Sequence, residues 1–219
     1  MKKITLIMSM LLMGTFSVFS QRKVSELMLS YDMQVTTGNK EPKLADAFDG
    51  ATTTVYIKGN MSRSDFTSVI FSSTIIHDSK AGTAVTLKQV GGQKLLIRMT
   101  PENWTEKNKK YQGITFTNTT ETKVIAGYKC IKAEAKLVDG TIFTVFYTTD
   151  LVPENKEYDE NMMFSTLNGL PLEWELTEGK LTIRYILSKI NMNPIPASRF
   201  DIPKSGYREM TYEESKKSN

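Results

Sequence analysis

Few residues of this 219-residue chain could carry acid–base or nucleophilic chemistry. His77 is its one histidine and Cys130 its one cysteine. His77 stands in TIIHDSK with Asp78 and Ser79 beside it. Consecutive residues on a strand point to opposite faces, so the trio does not read as a catalytic triad, and His77 reads as a turn residue. A nucleophilic Cys130 would need a neighbouring base and an exposed thiolate; neither is visible, and Cys130 reads as a small buried apolar side chain. One histidine and one cysteine make a transition-metal site only with carboxylates at ligand spacing, and no such spacing occurs. Glu173 and Glu175 share a strand face at a separation a carboxylate pair could use, yet they form the wet side of a plain alternation. Gly91-Gly92 reads as a hairpin turn, not a phosphate loop. The expectation is a chain that is not an enzyme, with no catalytic residue, metal or cofactor to assign.

Three stretches, Asn60-Met61-Ser62, Asn103-Trp104-Thr105 and Asn118-Thr119-Thr120, match the glycosylation sequon. They matter only where the host glycosylates exported chains.

The opening MKKITLIMSMLLMGTFSVFSQ has Lys2 and Lys3, an apolar stretch from Ile4 to Phe19 and small Ser20 before Gln21. This is the pattern of a signal peptide at 1–20, too short and wrongly flanked for a membrane span. No cysteine stands near the expected cut, so a lipobox is not read there, and the expected location is the periplasm or the exterior. Removing Lys2 and Lys3 from 28 basic against 24 acidic residues leaves a small positive excess, and so even a balance gives nucleic-acid binding no support. No later stretch is apolar for long enough to span a membrane. The remaining ~200 residues suffice for one domain, expected at 21–212, followed by a flexible charged tail at 213–219. With a lone cysteine there is no internal disulfide, and stability must come from burial and sheet pairing.

Alternation is the dominant signal. In LMLSYDMQV, Leu27, Leu29, Tyr31, Met33 and Val35 point one way and Ser30, Asp32 and Gln34 the other. Turns are expected at Gly59-Asn60, at Asp139-Gly140 and around Glu178-Gly179, and a two-residue hairpin turn at Gly91-Gly92. Ile131, Ala133, Ala135 and Leu137 are out of phase with Tyr128 and Cys130, which predicts a bulge near Cys130. Thr100 and Pro101 open a short helix on which Trp104, Asn108 and Tyr111 share a side. PENKEYDENMMFSTLNG, with Pro and acids first and Asn168-Gly169 last, predicts a second helix. NPIPASRFDIPKSGY is proline-broken and expected along an edge. The fold class is therefore mainly β (α+β): a strongly curved antiparallel sheet or half-open β-barrel of roughly ten strands, with two or three short helices as lid.

The strands send large, unlike apolar groups to one side: Leu29, Tyr31, Met33, Leu95, Met99, Phe143, Trp174 and Tyr185. Each contributes roughly 1.5–3 kcal/mol when buried, so a face of this size in water would exceed the stability margin of a domain. Something covers it. Either the helices fill it completely, or the sheet encloses space for an apolar small molecule or lipid. The first case gives a filled-core envelope protein that works by touching another envelope protein; the second gives a binding or carrier protein with those eight residues as its lining. Twelve methionines make either filling adaptable.

One resemblance bears on the choice. IAGYKCIKAEAKLVDGTIFTVFYTTDL followed by NGLPLEWEL resembles the pattern of the GLPGLI family of exported proteins from two-membraned bacteria. Gly169, Leu170 and Pro171 match, while Leu172 and Glu173 replace the second half of the motif. FDIPKSGY resembles the end of a related group of periplasmic domains. Both groups are similar to the LolA/LolB lipoprotein-carrier superfamily, which implies an incomplete antiparallel barrel with a helical lid over an apolar cavity. The resemblance spans Ser25 to Tyr207 and supplies no catalytic residue. Where those carriers have an arginine-proline pair after an early strand, this chain has Arg63-Ser64, so lipoprotein sorting itself is not implied.

Overall fold

The alternating segments form strands throughout residues 21–38 and 47–217, the part of the chain that the computed structural model describes. The expected signal peptide lies outside the described residues. In chain order the strands are β1 (Arg22–Val24), β2 (Glu26–Thr36), β3 (Thr52–Lys58), β4 (Met61–Thr67), β5 (Phe71–Asp78), β6 (Thr83–Val90) and β7 (Gln93–Met99). After helix α1 (Pro101–Lys107) come β8 (Thr115–Ile125), β9 (Tyr128–Lys136), β10 (Ile142–Thr148), β11 (Leu151–Pro153), β12 (Leu170–Glu178), β13 (Leu181–Asn191), β14 (Arg208–Met210) and α2 (Tyr212–Lys217).

Twelve strands make one sheet in the order β14-β7-β6-β5-β4-β3-β2-β13-β12-β10-β9-β8. Every pairing in it is antiparallel except that of β14 with β7. Two-residue turns join β3 to β4, β6 to β7, β8 to β9 and β12 to β13, and strands so joined must run antiparallel. Gly91 and Gly92 take φ of 53° and 82°, and Ala126-Gly127 makes the same kind of turn with φ of 48° and 84°. The sheet is not closed into a barrel: β14 and β8 are its two edges. It curls, as a long twisted sheet with one apolar face must. Val55 of β3 and Cys130 of β9 thus belong to one buried cluster although four strands stand between theirs.

The inner face carries Leu27, Leu29 and Tyr31 of β2, Val55 and Ile57 of β3, Leu187 of β13 and Phe143 and Val145 of β10. Three pieces cover it. A two-stranded parallel ladder of β1 with β11 seats Val24 and Leu151 over one part. Residues 154–167 lay Tyr158, Met163, Phe164 and Leu167 over the middle. Helix α1 and Tyr212 of α2 lie over β5–β7, where Trp104 packs on Ile75, Ala84 and Met99. The outer face of β4–β7 has its own cover. The chain from 192 to 207 straps across it, packing Ile195 and Phe200 on Ile76, and Ile202 and Tyr207 toward Val85, Leu87 and Leu96.

Three expectations need correction. Residues 154–167 form turns, not a helix, because the Asp159 carboxylate takes the backbone N–H groups of Asn161, Met163 and Phe164 and Met162 enters the left-handed region at φ 54°. Residues 213–217, expected to be a loose tail, continue helix α2. Thr211 and Glu214 cap it reciprocally, and Lys216 joins Glu106 of α1 to Glu213. The proline-broken segment is a strap over the outer face that ends in the edge strand β14. The change of phase is present, since Cys130 and Ala133 are both fully buried, but the register irregularity lies on the neighbouring β8 between Asn118 and Thr122 and not at Cys130, and β9 pairs with β10 without a break from Ile131 to Lys136.

Candidate functional site

The register of β2, β13, β12 and β10 brings Met33, Tyr185, Trp174 and Val145 into one row across four neighbouring strands. Trp174 stands at its centre. Its ring stacks on Tyr185 with centroids 4.7 Å apart and meets Tyr31 and Phe164 edge-on at 4.9 and 5.1 Å. Unlike aromatic rings in such a cluster fix one another's orientation. The Tyr31 hydroxyl donates to the carbonyl of Pro171 at 3.0 Å, tying the cluster to the start of β12. Burial pushes the Tyr31 phenol well above its ordinary pKa and that of Tyr185 to about 12.

Between these rings and residues 158–164 lies a cavity of about 60 Å³, lined by Tyr31, Trp174, Tyr185, Tyr158, Phe164 and Leu176 among others. At about 30 Å³ for each water, that is room for about two water molecules. The roof is held from both sides. The Lys107 ammonium donates to the carbonyl of Glu160 at 2.6 Å and to Asn161 Oδ1 at 3.3 Å, and Lys156 donates to the carbonyl of Leu167. Burial raises the carboxyl pKa values of Asp159 and Glu160 above the usual carboxylate range.

Leu176 also faces a second, larger space. An open groove of about 570 Å³ runs past the ends of β10, β12 and β13, lined by Tyr111, Leu137, Phe143, Leu176, Leu181 and Ile183, with Lys110 and Asp139 at its rim. Here the row of inner-face residues continues beyond the reach of residues 154–167. The two spaces share Leu176, so groove and aromatic cluster are contiguous.

Of the eight expected lining residues, Tyr31, Trp174 and Tyr185 line the small cavity and Phe143 lines the groove. Leu29 and Met33 are buried in the sheet's own packing. Met99 packs under Trp104, and Leu95 stands half-buried on β7, so these two belong to a different part of the inner face. Tyr111, Leu176 and Ile183 were not among the eight. Leu176 and Ile183 share the alternation phase of Trp174 and Tyr185, the signal that marks them; Tyr111 enters only through the turn after α1.

The polar candidates land in structural roles. His77 is not in a turn: it is the penultimate residue of β5, buried beneath residues 154–167. Its ring stacks on Trp104 at 4.3 Å, with Nδ1 3.2 Å from the carbonyl oxygen of Glu157. Burial, foremost, lowers its pKa. Cys130 is fully buried, and burial pushes its thiol to about 11. Glu175 is exposed as expected, whereas Glu173 is buried and accepts from Lys123 and from Arg184 at 2.7 Å. The sequon asparagines hold local bonds: Asn60 donates to Asp78, Asn103 completes the cap of α1, and Asn118 accepts from the Tyr147 hydroxyl.

No protein-family model matches the chain, and no curated protein matches it. Among solved structures, PNGF-II in two crystal forms aligns with 88% and 89% of the chain at 13% and 12% identity, both with a TM-score of 0.49. The chain spans only 32% and 33% of those PNGF-II chains. MucB aligns with 82% of the chain and 58% of its own length at 11% identity and a TM-score of 0.37. A β-barrel-like protein of the domain of unknown function DUF1849 from Brucella abortus aligns with 78% of the chain and 99% of its own length, at 9% identity and a TM-score of 0.39. Likenesses this distant carry no argument about function. The open, curled, mostly antiparallel sheet stands on its own strand order.

Proposed function

We propose that the chain is an exported, non-catalytic binding protein for an elongated apolar molecule such as an acyl chain. The observation that carries this reading is the groove of about 570 Å³, lined by Tyr111, Phe143, Leu176 and Ile183 and contiguous with the aromatic cluster at Leu176. Its size falls in the range of small-molecule sites, and its wall, apolar along Tyr111, Phe143, Leu176 and Ile183 and polar at Thr141, Thr177, Lys110 and Asp139, suits a ligand that is apolar along one side and wet along the other. The cavity beneath residues 154–167 is far too small for such a ligand, so the seat is the groove, not the interior the eight residues outlined. Export rests on the signal-peptide pattern at 1–20. Kinship with the GLPGLI-like and LolA/LolB-like groups rests on the motifs around Tyr128, Tyr147 and Gly169. A non-catalytic role is supported by the burial of His77 and Cys130 away from the groove.

The test is displacement of a fluorescent fatty-acid probe from delipidated protein. Saturable binding is expected, weakened about tenfold or more by Leu176→Lys, which puts a charge in the apolar wall. Absence of saturable binding to the wild-type protein would count decisively against the reading.

A filled-core protein acting through contacts is the second reading. The near-absence of space under residues 154–167 favours it, as does β8, an edge strand on which Val124 is 71% exposed. The strap at 192–207 is occupied by its own sheet, so β8 is the surface this reading would use. Cross-linking from β8 to one specific envelope protein, with no probe binding, would favour it over the first.

A further inference from the structure

A pocket of about 200 Å³ opens on the inner face of β5–β7, beside α1 and α2 and apart from the groove. Lys88, Lys107 and Lys216 converge on it together with the hydroxyl-bearing Ser73 and Thr86, over an apolar floor that includes Met99. Among the described residues no carboxylate lines it.

The three lysines differ in how they are held. Lys216 is paired with Glu106 of α1 and Glu213 of α2. Lys107 spends two of its three ammonium donors on neutral acceptors, the carbonyl of Glu160 and the amide oxygen of Asn161. Lys88 stands on β6 opposite Ser73 of β5 and Leu95 of β7; it is half-buried and has no hydrogen bond or ion pair among the described residues. Ser73 and Thr86 likewise have no side-chain partner among the described residues. Burial foremost, with the Lys88 charge adding to it, lowers the pKa of Lys107 against the opposing pull of Glu160 and Asp159.

Lys88 stands without an acceptor beside a second lysine, and an anion seated in the pocket would supply one, with Ser73 and Thr86 as further donors. We propose that this pocket binds a phosphate-class oxyanion, either free phosphate or the phosphoryl group of a phosphomonoester. Two ammonium groups and two hydroxyls suit an anion with oxygens on all sides, and the pocket is below the usual size of a drug-like ligand's site. This site does not depend on the apolar groove.

The test is titration of the full mature chain, at constant ionic strength, with inorganic phosphate and separately with glycerol 3-phosphate, followed by calorimetry and amide chemical shifts. Saturable binding with shifts at Ser73, Thr86 and Lys88 is expected. Lys88→Gln should weaken it about tenfold or more, Lys88→Arg should retain it, and Lys129→Gln, at an exposed site, should leave it unchanged. If Lys88→Gln fails to fold, Ser73→Ala takes its place, with a smaller loss expected. Tighter binding of the phosphomonoester assigns the pocket to a headgroup; equal or weaker binding assigns it to the free ion. Absence of saturable phosphate binding, or binding unaffected by both Lys88→Gln and Ser73→Ala, would overturn the proposal.

Discussion

Trp174 and Tyr185 face each other across β12 and β13 as paired residues, their rings 4.7 Å apart and within 12° of parallel. This stack joins two buried clusters, since Trp174 packs against both the group around Tyr31 and the group around Phe164. Replacing Trp174 by Ala removes the shared element. The expected loss is about 3 kcal/mol in urea unfolding, with Trp174→Phe losing less than half of that.

Gly169 opens the GLP stretch, and its φ is not in the left-handed region, so conformational freedom does not explain it. Space does. A Cβ there would lie 2.3 Å from the Thr148 carbonyl oxygen and 2.5 Å from a Tyr147 ring carbon. Gly169→Ala must therefore displace the start of β12, including the Pro171 carbonyl that Tyr31 binds. A loss of about 2–3 kcal/mol is expected, read as a lowered thermal midpoint. An unchanged midpoint would show that β12 can shift freely at this point.

His77 should make stability depend on pH. Its folded pKa is lowered from 6.5, so the unfolded chain takes up a proton first as pH falls and stability is lost below about that pH. Glu157, Asp159 and Glu160 act in the opposite sense. Their raised pKa values add stability in acid that disappears as pH rises through those values. Comparison with His77→Gln separates the two. Urea midpoints measured from about pH 8 down to pH 5 should fall more steeply for the wild type than for the variant. Parallel curves would mean that the ring takes up its proton at the same pH in the folded and the unfolded chain.

Cys130 should be inert while the protein is folded. Its thiol is fully buried and pushed to about 11, so little thiolate exists to react with a thiol reagent near neutral pH. Labelling is expected only at the rate of unfolding, becoming rapid in denaturant. Fast labelling of native protein would place the residue at the surface.

Local pattern made much of this fold legible. The turn at Gly91-Gly92 and the alternation around Trp174 sufficed for strands, for antiparallel order and for which side of each strand is apolar. These are properties of neighbouring residues. The turn structure of 154–167 was not legible, because one half-buried carboxylate at Asp159 takes three backbone N–H groups and outcompetes the helix that the composition favours, and nothing local says it will do so. The capped helix at Tyr212 was legible in Thr211-Tyr212-Glu213-Glu214 but is easily lost in a charged tail.

The sequence by itself determined that Leu29, Tyr31, Trp174 and Tyr185 would share a face, because side chains alternate across a strand whatever it pairs with. Only the tertiary structure decided what lies against that face. Residues 154–167 cover Trp174 and reach as far as Leu176 but leave Ile183 facing the open groove, because free volume depends on where distant segments come to rest and not on any residue's neighbours in the chain.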